Sequence, residues 1–181
     1  MRVALSSRSA ACSARGEDGP HEDQRLPRRS DALTERLDAL LLESSRGGMR
    51  SAFPRGRVVA AFYEPRDGLE TNLPLKRALR SLALRRSGLD VLAIGDVAAF
   101  DFEPARSIVR RVVRMLGARH DLEILLDWSA ALARPPFDLV RGACNVFVVG
   151  RDGQFALRST GALPSTELAR VLSEVERLLE A

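Results

Sequence analysis

From Arg57 onward the chain alternates short apolar runs with amphipathic stretches, and this alternation limits the fold more than any other feature of the sequence. "RVVAAFY" (57 to 63), "LDVLAIGDV" (89 to 97) and "LEILLD" (122 to 127) read as buried strands. Helices are expected over Leu75 to Arg86 and Pro104 to Leu116, with a short irregular helix around Ser129 to Ala133. "NVFVVG" (145 to 150) and "QFALRS" (154 to 159) are joined by "RDG", which suits a tight hairpin. A closing helix is expected from Ser165, with Leu168, Val171, Leu172, Val175, Leu178 and Leu179 on one face. Strands that alternate with helices pair in parallel through right-handed crossovers. The pattern predicts an α/β chain: a three-layer sandwich whose mixed sheet has three parallel-type strands, an antiparallel C-terminal hairpin and helices on both faces. Counted from Arg57, the expected strand order is 3-2-1-4-5.

Ahead of this domain the composition changes twice. Residues 1 to 29 are rich in Ser, Arg, Gly and acidic residues and poor in large apolar side chains, so they cannot offset the entropy of ordering and are expected to form a flexible arm. Residues 30 to 48 predict a leading amphipathic helix, capped by Ser30, carrying Leu33, Leu37, Leu40 and Leu41 on one face and ended by Gly47 and Gly48. Such a helix docks on the main domain or pairs with a second copy of itself.

At 181 residues the chain can bury one core. Its net charge of +4 comes from arginine, Lys76 being the one lysine. Two cysteines, Cys12 and Cys144, exclude a disulfide framework and a zinc site of cysteine pairs. No run approaches the ~20 apolar residues of a membrane span, and Val3 to Leu5 is too short an apolar core for a signal peptide. A cytoplasmic location, with no membrane partner and no cofactor, is the expectation.

Candidate chemistry gathers at the first strand-helix junction, "AFYEPRDGLETNLP" (61 to 74). Phe62 and Tyr63 end the strand, and Leu73-Pro74 open the helix. Near the other end, "DLVRGACNVFVVGRDGQFALRSTGAL" leads into the hairpin. Over residues 55 to 181 these stretches resemble the thioredoxin-like superfamily in its TlpA and redoxin forms. There an aromatic pair precedes a Cys-x-x-Cys and an "LP", and "V-R-G-x-P-T-x-F-L-I-D-x-D-G" precedes the hairpin. The insert with the second helix and "LLDWSAALA" are similar to the YtfJ type, which also lacks a Cys-x-x-Cys. On this resemblance Asp67 and Glu70 stand where the two cysteines would be, Cys144 replaces the cis-proline and Asn145 the threonine. A cis bond before a non-proline residue costs ~3 to 4 kcal/mol, so the peptide before Cys144 should be trans.

Carboxylates cannot attack or resolve a disulfide, so dithiol exchange at 67 and 70 is excluded on chemical grounds. What the resemblance implies instead is a redox-inactive binding or regulatory domain, with a groove between residues 63–72 and 142–146 formed by Tyr63, Asp67, Glu70, Cys144 and Asn145, recognising a protein segment. The alternative is a single-cysteine thiol enzyme or peroxide sensor acting through Cys144. Asp67 and Glu70 also have capping-box spacing, worth ~1 kcal/mol to the helix. A cation held by Glu64, Asp67 and Glu70 lacks any supporting histidine, so no metal is expected. Arg106, Arg110, Arg111 and Arg114 form a basic face on the second helix, opposite Ile108, Val109, Val112, Val113 and Leu116. Without stacking aromatics on that helix, a solvated face is expected and nucleic acid is not. Trp128 and Phe137 are expected to seal the sheet edge.

Overall fold

Strand β3 (Val58–Glu64) lies at the middle of the sheet, and every one of its residues is buried, which is what its unbroken apolar run requires. The computed structural model describes residues 37, 39–65 and 68–181. Around β3 run β1 (Leu41–Ser44), β2 (Met49–Ser51), α1 (Leu73–Arg85), β4 (Leu89–Asp96), α2 (Ala105–His120), β5 (Glu123–Asp127), β6 (Asn145–Val149), β7 (Phe155–Thr160) and α3 (Ser165–Glu180). They form one seven-stranded sheet in the order β2-β1-β5-β4-β3-β6-β7. Strands β3, β4 and β5 are parallel neighbours, while β6 and β7 are antiparallel. The expected order 3-2-1-4-5 is therefore observed, and the mixed α/β architecture with it.

Because β3, β4 and β5 step steadily toward one edge, right-handed crossovers place α1 and α2 on the same face of the sheet. There Val58, Ala60 and Phe62 of β3 pack with Leu75 and Leu79 of α1 and with Val171 and Val175 of α3. Ala93 and Ile124, on that same face, meet Val113 and Leu116 of α2. The other face carries Val59, Ala61 and Tyr63 and is covered by Leu37, which is helical, together with Phe53, Leu132, Phe137 and Leu139. Phe147 joins this cover, its ring centroid 5.7 Å from Phe53 and 5.5 Å from Phe155. A 3-10 turn at Ala131–Ala133 stands where the short irregular helix was expected.

One expected element is corrected. Residues 41 to 48 do not continue a leading helix: Leu41–Ser44 is β1, and the turn through Gly47 and Gly48 (φ +99° and +77°) returns the chain into β2. Strand β1 pairs with the outer side of β5 through Glu43↔Leu126 and Ser44↔Leu125. A free parallel edge presents unpaired backbone groups, and a strand satisfies them where a helix would not. The period follows from this choice, since Leu42 turns inward while Leu41 is 56% exposed. Leu37 does pack on the main domain. The arm 1–29 and residues 30–36 and 38 lie outside the described residues, and Leu41–Ser44, part of the helix expected over 30–48 to dock on the main domain or pair with a second copy, is held within the sheet.

Candidate functional site

Successive residues of a strand face opposite ways, so at the end of β3 Tyr63 and Glu64 enter different environments. Glu64 points to the α1 side and is 2% exposed. Its Oε1 accepts a hydrogen bond from Lys76 Nζ at 2.5 Å and from the Cys144 thiol at 3.3 Å. Lys76, 3% exposed, also donates to the Leu69 carbonyl at 2.6 Å and lies 5.2 Å from the Phe62 ring centroid. Charges this deep are tolerated only when paired and hydrogen-bonded. A lysine suits the place because its compact head carries three donors, whereas a guanidinium would bring five.

Asn72 ties this pair to the hairpin. It precedes α1 in the left-handed region (φ 58°), where asparagine is among the few side chains well tolerated. Its Nδ2 donates to the Gly161 carbonyl at 3.0 Å and approaches Cys144 Sγ at 3.4 Å, and its Oδ1 accepts from the Leu163 amide at 2.8 Å. Pro74 sits in the first turn of α1, where its missing N–H costs nothing. The result is a buried cluster of Glu64, Lys76, Asn72 and Cys144 joining β3, α1 and the segment entering β6.

Burial raises the Glu64 carboxyl above its usual range, opposed by Lys76 and by the thiol of Cys144. Burial, reinforced by the neighbouring Glu64 carboxylate, pushes the Cys144 thiol up to about 12. Among the described residues Cys144 is the single cysteine and a free thiol, 5% exposed; Cys12 lies outside them. The cis peptides among the described residues are Glu103-Pro104 and Pro135-Pro136, so the bond before Cys144 is trans.

The other predicted site residues are placed differently. Asp67 lies outside the described residues. Glu70 is exposed in the turn before α1, and the cap position belongs to Asn72, with no side-chain capping bond. The capping-box expectation is thus corrected for Glu70: the chain makes two more turn residues before the helix begins, so the spacing from 67 to 70 falls outside it. Asn145 is engaged internally, donating from Nδ2 to the Val140 and Ala143 carbonyls at 2.8 and 3.0 Å and accepting from the Val140 amide at 3.0 Å and the Thr160 hydroxyl at 3.3 Å.

Tyr63, on the opposite face, has a buried hydroxyl with no hydrogen-bond partner among the described residues. Burial and the negative charges of Asp96 and Asp127 raise it above the usual phenol range. Asp96 is itself held by Arg141 at 2.6 and 3.1 Å, and Asp127 accepts from the amides of Ala131 and Leu132 at 2.9 and 3.0 Å.

Two of the four arginines in the expected basic face are committed internally. Arg110 makes a forked pair with Glu43 at 2.7 and 3.0 Å, and Arg106 pairs with Asp101. Both lie over Trp128, at 5.3 Å for Arg106 and 5.6 Å for Arg110, and Trp128 Nε1 donates to Glu43 at 3.0 Å. Arg111 and Arg114 are exposed. Trp128 thus binds the β1 edge to α2, in keeping with a sealing role, and Phe137 is buried in the core. Among the described residues no group of three or more His, Cys, Asp or Glu side chains is placed to hold a metal ion, and Glu64 is engaged with Lys76.

Glu64, Lys76 and Asn72 form the heart of the cluster, yet the junction motif points to Asp67 and Glu70. One signal does exist: Lys76 is the one lysine among 28 basic residues.

No family model matches the chain, and no curated protein sequence matches it. Solved structures do. The Xanthomonas campestris bacterioferritin comigratory protein, described for its alkyl peroxide reduction activity, superposes with a TM-score of 0.57 at 16% identity over 80% of this chain and 95% of its own. The exposed lipoprotein thioredoxin of Streptococcus pneumoniae gives 0.57 at 14% identity, over 77% of this chain and 98% of that one. The Chlorobium tepidum protein assigned as the thiol:disulfide interchange protein DsbE gives 0.56 at 13% identity, over 77% and 92%. No helix among the described residues is long and apolar enough to cross a membrane. Strand order, crossover pattern and these superpositions agree that the chain has the thioredoxin-like fold.

Proposed function

We propose that the chain is a binding or regulatory domain on a thioredoxin-like frame, working without thiol-disulfide exchange. One observation carries this reading: the Cys144 thiol is buried against the Glu64 carboxyl and pushed up to about 12. Exchange and peroxide chemistry both begin from an accessible thiolate, and here the Glu64 carboxylate beside the sulfur carries the same negative sign as a thiolate and opposes its formation.

The partner in this reading is a protein segment meeting residues 63–72 and 142–146. With Tyr63, Cys144 and Asn145 buried, a peptide would contact exposed Glu70 and the main chain of β7, whose outer edge has no strand partner among the described residues. Strand addition supplies main-chain hydrogen bonds at such an edge. The second reading, a single-cysteine redox protein acting through Cys144, draws on the peroxide and thiol activities of the structural neighbours. It requires the Glu64–Asn72 cluster to open.

Alkylation of the full chain by iodoacetamide at pH 8.5, with and without urea, separates the two. The binding reading expects Cys144 in the native chain to react at least about a hundredfold more slowly than in urea, through a small thiolate fraction and poor access, with no insulin disulfide reduction. Native reactivity equal to that in urea, or peroxide consumption lost in Cys144→Ser, would overturn it.

A further inference from the structure

Helix α2 is rolled away from the orientation that its own apolar arc favours. Val113 and Leu116 pack on Ala93 and Ile124 of the sheet, but Ile108, Val112 and Met115, spaced to share one face, are 61%, 44% and 64% exposed. The cause lies on the opposite flank. Arg110 forks onto Glu43 and, with Arg106, covers Trp128, which draws part of the basic side toward the sheet edge. An apolar crest is thereby turned to solvent.

Charge on this helix is one-sided. Residues 105 to 120 include Arg106, Arg110, Arg111, Arg114 and Arg119 and no acidic residue. The carboxylates flanking the helix are already engaged: Asp101 pairs with Arg106, Glu103 with Arg110, and Asp121 with Arg80. Arg111, Arg114 and Arg119 are exposed and have no carboxylate partner among the described residues. Arg111 stands beside the crest, and Arg119 continues it one turn beyond Met115.

We propose that the crest of α2 docks on an anionic lipid surface, with Ile108, Val112 and Met115 entering the boundary between headgroups and acyl chains and Arg111, Arg114 and Arg119 meeting lipid phosphates. Charge and shape together select this occupant. A second copy would set uncompensated arginines against arginines. Nucleic acid would answer the arginines and leave the apolar crest against a charged backbone. A specific protein interface engages ~20–30 residues a side with matched shape, whereas a bilayer surface yields to a short convex crest. The basic face, expected from the sequence to be solvated, has its counterion in this arrangement. Contact of this kind requires no spanning helix, and it is independent of the β7 edge and of Cys144.

The test sediments the full chain with vesicles of phosphatidylcholine alone and of phosphatidylcholine mixed equally with phosphatidylglycerol, at low and high salt. Expected is saturable binding to the anionic vesicles, about tenfold or more tighter than to phosphatidylcholine and weakened by salt. Arg111→Gln combined with Arg114→Gln should weaken it about tenfold or more, since each basic side chain near such a surface contributes about fivefold. Ile108→Ser combined with Met115→Ser should weaken it about tenfold through lost apolar burial, which adsorption by net charge alone would not show. All four side chains are exposed, so both variants should keep the parent's unfolding midpoint. The proposal is overturned by equal binding to both vesicles, by no binding to the anionic ones, or by full-strength binding of either variant. Capture by immobilised polyglutamate, without vesicle binding and lost in the arginine variant, would overturn it in favour of an acidic protein segment.

Discussion

Lys76 Nζ sits 2.5 Å from Glu64 Oε1, across the junction between the central strand and the first long helix, with both side chains almost wholly shielded from water. Removing one member would strand the other's charge. Lys76→Met is expected to destabilise the chain by about 3–5 kcal/mol, whereas Glu64→Leu combined with Lys76→Met should lose much less than the two single changes added together. Urea unfolding of the four chains measures the coupling. Additive losses would show that the pair does not act as a unit.

The same pair sets a pH dependence. The Glu64 carboxyl is held above its usual 4.5 by burial, so the folded chain binds this proton more tightly than the unfolded chain does. The stabilisation from that proton is complete below pH 4.5 and is lost as pH rises through the folded value. Relative to Glu64→Gln, the urea midpoint of the parent chain should therefore fall as pH is raised from 4.5 toward neutrality. A difference that grows with pH would reverse the assigned sign.

Asn72 serves three partners from a left-handed backbone. Asn72→Ala leaves the Gly161 carbonyl and Leu163 amide unmet and places alanine at positive φ, an expected loss of about 2–4 kcal/mol. Asn72→Asp keeps the acceptor for Leu163 but brings a second carboxylate toward Glu64 and Cys144. Thermal unfolding of both variants should show large losses; an unchanged midpoint in Asn72→Ala would mean the hairpin loop is held by other contacts.

Trp128 is the single tryptophan in the chain, so its fluorescence reports the Glu43–Arg110 tether without interference. Arg110→Ala should shift its emission to longer wavelength and increase acrylamide quenching, because the ring loses a guanidinium cover and Glu43 loses its fork. An unaltered spectrum would indicate that Arg106 alone shields the ring.

Much of the fold is legible in the residues themselves. The runs at 58–64, 89–96 and 123–127 are too apolar for anything but buried strands, "RDG" supplies a hairpin turn, and the right-handed rule then leaves the strand order little freedom. The loss of the cysteine pair is equally plain, since a carboxylate has no sulfur chemistry. These features are set within a few neighbouring residues or by composition alone. The leucines at 33, 37, 40 and 41 mislead because their spacing suits one face of a helix, and only the open edge of β5, some 80 residues later, draws Leu41–Ser44 into a strand. In the same way Glu64 finds Lys76 twelve residues on and Cys144 eighty residues on. Local periodicity carries no term for such meetings; they arise when packing removes water and a buried charge must take whichever partner the crossing chains bring within reach.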